Sequence, residues 1–311
     1  MPLLVILTLT LSTTTMILIQ TASFEAIVEE ELRFVLGGDV RVDCNQPLSF
    51  EGNLTMSPVV VKATPVISTT ARIGDDKTLF LNGIDSLEYL DIGYFPAGCF
   101  IDEDPEAILS SLIQVPNGVI VSEYHANLLG KGVGDSIRLL CDVNRSTRVA
   151  STTLKIIGLM HFAPGFGSAS TKDMNYNLLG SQLGFQAAHG GFALANIGFV
   201  ENLTRFHNAS MFLVDTVDNV DTLEFVRAID SLYGIQAYSP ETVDLLIEAP
   251  ASGLFIVGLK GYLLIEGIAC LIMGLASIGL FLGSAVAKRK SEYAVMRALG
   301  ATQSQVRTVV F

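Results

Sequence analysis

The sequence predicts an α+β domain held outside the cytoplasm and flanked by transmembrane helices. The domain combines a ferredoxin-like split β-α-β part with a β-rich part. Three observations carry this. Two long apolar runs bracket a polar block. Charge divides sharply between that block and the C-terminal tail. Inside the block, short β-branched runs alternate with segments of helical period.

Half of the 311 residues are hydrophobic and only 16% are charged, against about 25% charged in an average soluble domain. Between positions 24 and 253 there are 29 acidic and 13 basic residues, a net of −16. From position 288 onward Lys288, Arg289, Lys290, Arg297 and Arg307 face Glu292 alone, a net of +4. A basic tail beside an apolar run follows the positive-inside pattern. A nucleic-acid partner needs a basic face, which the acidic block does not offer.

Residues 1–23 read as the first transmembrane helix. Pro2 to Ser23 carries no charge, and about 20 helical residues cross a bilayer core. A secretory signal would have a basic n-region and a shorter apolar core. Thr8, Ser12 and Thr15 share one face of this helix, where hydroxyls bond backbone carbonyls or pack on a neighbour. Residues 24–253 form the extracytoplasmic domain. Its predicted strands are 39–44, 58–68, 77–85, 118–123, 135–141 and 152–160, each bounded by Gly, Pro or Asp. Residues 104–113 and 123–130 have helical spacing. Met211 to Asp215 is a strand, Asn219 to Tyr233 a helix with Val220, Leu223, Val226, Ile229 and Leu232 on its apolar face, and Ile235 to Tyr238 a returning strand. That is the split β-α-β unit. Residues 162–195 are rich in Gly, Ala, Ser and Asn and read as a long loop or flexible insertion.

Residues 254–287 read as a stalk followed by the second transmembrane helix. Lys260 and Glu266 interrupt the stalk, and Gly267 to Ala287 is uncharged. The Gly279-x-x-x-Gly283 spacing lets another helix approach closely. With both segments spanning, both ends are cytoplasmic in a multi-pass protein of the cell membrane. Residues 288–311 then form a cytoplasmic amphipathic helix and the start of a further one. Val295, Met296 and Leu299 make its apolar face, with Arg289, Glu292 and Arg297 hydrated. Gly300 ends the helix and Thr302 caps the next, with Gln305 three residues on.

The block lacks a G-x-x-x-x-G-K-[ST] phosphate loop, a G-x-S-x-G elbow and an H-E-x-x-H pair. His125, His161, His189 and His207 are scattered. The acids Asp102, Glu103, Asp104 and Glu106 lack the ligand spacing of a calcium loop and suit a helix N-terminus. No enzyme activity, cofactor or metal site is expected. Cys44, Cys99 and Cys141 lie in the block and Cys270 in the second apolar run. Cys44 and Cys141 each end a predicted strand and are the pair expected to bridge, with Cys99 competing for either. Asn53, Asn144, Asn202 and Asn208 head N-x-S/T sequons, expected glycosylation positions in a host that glycosylates.

The tail "RKSEYAVMRALGATQSQV" resembles the coupling helix of FtsX/MacB-type ABC transporter permeases. Glu292, Arg297, Ala298, Leu299, Gly300, Ala301 and Thr302 match that motif directly. Tyr293 stands where the family usually has Ile, and Ser291 where it often has Arg. Further motifs follow in family order. "FVLGGDVRV" (34–42) is similar to the strand after the first membrane helix. "GVIVSEYHANLLGKGVGDSIRL" (118–139) is similar to a V-x-S-E…V-G-D segment, with a turn that Gly132 and Gly134 permit. "LKIIGLMHFAPGFG" (154–167) is similar to a strand and P-G-F loop. The resemblance implies a MacB-like core domain in a permease subunit driven by a separate cytoplasmic ATPase dimer. It implies a second permease copy or half in the bilayer. Arg289, Glu292, Tyr293, Val295, Met296, Arg297, Leu299 and Gly300 would contact the ATPase, with the apolar residues in its groove. Family members carry lipoproteins, peptides or antibiotics, or activate cell-wall hydrolases. Family units have four membrane helices, so the sequence reads as one part of a longer permease. The competing expectation is a membrane-anchored receptor or adhesin without an ATPase.

Overall fold

The computed structural model describes residues 12, 15–17, 19–20, 22–23, 30, 32–73, 77–96, 98–101, 104–143, 149–168, 192–217, 220–247, 254–300 and 302. The chain divides into two compact units. One is the folded body, Val28–Ser252; the other joins Met1–Ile27 with Gly253–Phe311.

In the body a short helix over 32–36, α1, precedes β1 (Val40–Pro47). A 3-10 turn leads into α2 (Glu51–Thr55), then β2 (Val60–Ile73) and β3 (Lys77–Ile84). The helix α3 (Ser86–Ile92) starts where the Asp85 carboxylate accepts from the Leu87 and Glu88 N–H groups at 3.1 and 3.2 Å, a side-chain cap. α4 (Pro105–Gln114) starts at a proline whose missing N–H costs nothing in a first turn. β4 (Gly118–Ser122), α5 (Glu123–Leu129), β5 (Ser136–Asp142) and β6 (Val149–Met160) follow. A small hairpin pairs β7 (Phe162–Ala163) with β8 (Gly167–Ser168). Next come β9 (Phe192–Asn196), α6 (Ile197–Thr204), β10 (Asn208–Thr216), α7 (Thr222–Tyr233), β11 (Gln236–Tyr238) and α8 (Pro240–Ile247).

Strand order explains the architecture. It runs β11-β1-β10-β2-β3-β9-β4-β6-β5, and β5 also pairs with the far end of β2, Ala71–Ile73 against Leu139–Cys141. The first four strands, with α2 and α7 as crossovers, have the ferredoxin-like order. β1 lies between β10 and β11 and is antiparallel to both. This is the split β-α-β arrangement. The ring β2-β3-β9-β4-β6-β5 closes on itself as a barrel. All six strands place alternate residues in one cluster, including Ile67, Leu81, Val121, Leu139, Ile156 and Ala195. The strand period of two thus fills the barrel interior. Val200 of α6 joins that cluster. α6 fits because residue 83 is glycine: a Cβ there would lie 2.8 Å from the Val200 Cβ.

Three expectations are corrected. Residues 162–195 are not one long loop. They hold the β7–β8 hairpin and β9, a buried inner strand between β3 and β4; residues 169–191 lie outside the described residues. Small residues are usual where packing leaves room for little else, and Ala193 and Ala195 face the barrel interior. On α7 the buried stripe is Thr222, Phe225, Val226 and Ile229, while Leu232 is 73% exposed. The i, i+3, i+4, i+7 spacing is kept, but it starts at residue 222. Val220 precedes the helix.

Candidate functional site

Two places in the chain carry the residues singled out above. In the helical unit, α9 (Leu254–Lys288) runs 35 residues, about 53 Å at 1.5 Å per residue. Its part Ile265–Lys288 is long and apolar enough to cross a membrane. It is the one such helix among the described residues, and most of residues 1–23 lie outside them. Leu275 and Leu280 are 64% and 77% exposed, the reverse of a soluble core helix. A Cβ on Gly267 would lie 3.3 Å from Ile17, whereas Gly279 and Gly283 meet nothing within 4 Å among the described residues. The close approach therefore falls at Gly267.

At Arg289 the backbone departs from helical angles, and its N–H reaches the Ala285 and Val286 carbonyls at 3.3 and 3.2 Å. α10 (Lys290–Ala298), which includes Tyr293, then begins. It ends at Leu299, and Gly300 has φ 95°, a conformation that favours glycine. Val295 and Leu299 are 58% and 84% exposed, and Met296 is half-buried. Glu292 stands three, four and seven residues before these, so its position belongs to their stripe. Arg297 is exposed. Residues 303–311, including the start of the next predicted helix, fall outside the described residues.

The second place is in the body. The 34–42 and 154–167 motifs, far apart in sequence, meet there. The Gly165 N–H donates to the Phe34 carbonyl at 2.8 Å. The buried Arg41 donates through Nη1 to the Gly165 carbonyl at 3.0 Å and through Nε to Asp43 at 2.7 Å. The Tyr89 hydroxyl donates to the Pro164 carbonyl at 2.7 Å. Burial, with Cys99 nearby, pushes the Tyr89 hydroxyl well above its usual pKa, so it stays a donor. Gly37 and Gly165 have φ of +82° and +77°, and a Cβ on Gly37 would sit 2.7 Å from the Gly165 Cα. Phe34 meets Phe162 edge-on at 6.3 Å. One carboxylate oxygen of Asp39 accepts from both the N–H and hydroxyl of Thr216 at 3.0 Å, and the other lies 3.5 Å from Arg33. No local pattern in either motif announces this meeting.

The strands that lead into and out of the body are neighbours: Arg41 pairs with Tyr238 and Asp43 with Gln236. The 118–139 motif forms β4, α5, a turn and β5. Gly134 takes a positive φ of 94° there, and Gly132 does not. Glu123 pairs with His161 at 2.9 Å. Ser122 and His125 are 3.3 Å apart, but both are buried and the far ring nitrogen of His125 lies 3.2 Å from the Thr78 carbonyl. That pair is part of the packing.

Cys44, Cys99 and Cys141 are free thiols, which corrects the expected bridge. β10 and β2 separate β1 from β5. Three strand steps span about 14 Å, well beyond the ~4.4–6.8 Å between bridged Cα atoms. Burial pushes Cys44 and Cys141 up to about 11 and Cys99 to about 12. Alkylation of the folded protein at pH 8 is therefore expected to spare Cys99 and Cys141 and to reach both once urea unfolds the domain. A disulfide-linked peptide in a non-reducing digest would contradict this. Because these pKa values lie above the ordinary thiol value of 9.0, folding stability is expected to fall as pH rises from about 9 through 11. Among the sequons, Asn53 is exposed on α2. Asn202 donates to the Gly198 carbonyl at 2.7 Å, and Asn208 to Asn45 at 3.3 Å. Asn144 lies outside the described residues.

No protein-family profile matches the chain, and no curated protein matches it. Several solved structures are distantly similar, two of them as follows. One is the extracellular domain of the noncanonic ABC-type transporter YknZ from Gram-positive bacteria. It has 14% identity and a TM-score of 0.36, and the match covers 64% of this chain and all of that one. The other is a domain of a putative permease protein from Porphyromonas gingivalis. It has 14% identity and a TM-score of 0.34, covering 66% of this chain and 89% of that one.

Proposed function

We propose that the chain is a permease subunit of an FtsX/MacB-type ABC transporter, with the body outside the cytoplasm and α10 docked on a cytoplasmic ATPase dimer. The observation that carries this is α10 itself. A short helix breaks from a membrane-length helix at a basic cluster, stops at Gly300, and leaves Val295 and Leu299 exposed on the stripe that the coupling motif specifies. An apolar stripe of that kind calls for a protein groove or a lipid surface. The adjacency of β1 and β11 supports the reading. These are the first and last strands of the body. The subunit has no nucleotide-binding loop in its sequence, and its work is mechanical: closure of the ATPase dimer moves α10 and α9, and the body responds. A second permease copy or half completes the assembly.

Labelling in intact cells tests the topology. A cysteine placed at Asp218 is expected to react with an impermeant maleimide, and one at Gln303 to react only after permeabilisation. The opposite pattern would refute the proposal.

A further inference from the structure

We propose that a small recess on the sheet, bounded by the 164–166 turn, is a binding site for one uncharged carbonyl group of a ligand, which the Asn82 amide would hold. Arg41, Ser68, Phe80, Asn82 and Met211 line the recess, with Gly165 and Phe166 of the turn. Its floor comes from four adjacent strands, β1, β10, β2 and β3. The register puts these side chains on one face. Ser68 stands opposite Asn82, and Thr70 opposite Phe80; residues two apart on a strand share a face. On β1 and β10, Arg41 stands opposite Leu213, two residues along from Met211. Val66 and Ile84, the neighbours of Ser68 and Asn82 on that face, lie in one buried cluster with Met211 and Phe166. The recess is therefore a polar notch at the margin of an apolar core.

The Ser68 hydroxyl donates to Asn82 Oδ1 at 2.7 Å. That bond turns the amide nitrogen away from Ser68. Asn82 is 2% exposed, and its nitrogen makes no hydrogen bond among the described residues. The sealed side-chain atoms without a partner among those residues are Thr64 Oγ1 and Ser86 Oγ. The Asn82 nitrogen is not one of them, so it opens on the recess. A donor left in such a place calls for an acceptor. Charge selects the kind of acceptor. The buried Arg41 already holds Asp43 at 2.7 Å and the Gly165 carbonyl at 3.0 Å. A carboxylate would bring a further charge to a paired guanidinium, against the apolar walls of Phe80, Phe166 and Met211, where desolvation is costly. A carbonyl brings an acceptor without a charge. The enclosed space, about 10 Å³, seats one water or one ligand oxygen. The site takes a single group and leaves the rest of the ligand outside.

Methyl NMR of the full chain in lipid nanodiscs, with isotope-labelled methionine methyls, tests this. Met211 lines the recess, Met160 is buried in the core and Met56 is 83% exposed; Met211→Leu assigns the reporting signal. The probe is N-methylacetamide, and acetate is the charged control. N-methylacetamide is expected to shift the Met211 methyl saturably and to leave those of Met160 and Met56 in place. Acetate should bind at least about tenfold more weakly. Asn82→Leu, close in volume, is expected to weaken the response to N-methylacetamide about tenfold, with the Met160 methyl at its unmodified position. Should that variant fail to fold, Ser68→Ala removes the bond that orients the amide and gives a smaller loss. No saturable shift in the unmodified protein overturns the site, since the recess then holds water only. Acetate binding as tightly as N-methylacetamide overturns the choice of an uncharged group. An unchanged response in Asn82→Leu, or in Ser68→Ala where that alone folds, overturns the role of Asn82. None of these outcomes bears on the docking of α10.

Discussion

Leu299→Asp and Met296→Asp are expected to release the ATP-binding subunit from the permease and abolish its stimulated hydrolysis, while the body stays folded. Buried apolar anchors in interfaces are worth ~2–4 kcal/mol each, so affinity should drop about 30- to 1,000-fold. The position of Glu292 sharpens the expectation. It falls in the apolar stripe with Val295, Met296 and Leu299, so Glu292→Ala should cost more than Arg297→Ala on the opposite side. A rim charge is worth less than a charge desolvated in the groove. Arg307, further along the chain, should matter less than either. If α10 rests only on lipid, the ranking changes: removing Arg289 and Lys290 together weakens membrane contact as much as Leu299→Asp does. The assay is a pull-down of the ATP-binding subunit with each variant. Retention at the unmodified level by both Asp variants contradicts docking.

The second large effect is in the core of the body. Phe225→Ala on α7 is expected to destabilise it by ~3–5 kcal/mol, since a buried aromatic leaves a cavity. Leu232→Ala on the same helix should change stability by less than ~0.5 kcal/mol, because Leu232 is 73% exposed. Thermal melts of the two variants decide between the stripe that includes Phe225 and the stripe that includes Leu232. Equal losses would place both residues in the core and contradict the packing of α7 on Phe50 and Phe212.

How much of this was legible in sequence depended on the range of the interactions. Strands bounded by Gly, Pro or Asp were readable, because alternation and turn chemistry are local. β1 through β6 fall close to the runs that suggested them. The split β-α-β unit was readable for the same reason, since β10, α7 and β11 are consecutive. The closing of the barrel was not, because it depends on β5 returning to the far end of β2, a pairing set by packing. β9 was hidden by its composition: Ala and Asn beside glycines look like loop until an inner barrel position requires small side chains. The stripe on α7 was misplaced because Leu232 is apolar in type but lies exposed in the last turn. At the candidate sites, Gly300 as the helix stop was evident from its place after Leu299. The meeting of Gly37 with Gly165 was not, because 128 positions separate them in the numbering and neither motif encodes the other.

α10 is expected to touch an ATP-binding subunit. A photo-activatable amino acid placed at Met296 of the full-length protein, irradiated in native membranes, tests it most directly. The expected result is one crosslinked product that contains an ATP-binding cassette subunit and is lost when Leu299 is also changed to Asp. Crosslinks to lipid alone, unchanged by that second substitution, would contradict the account.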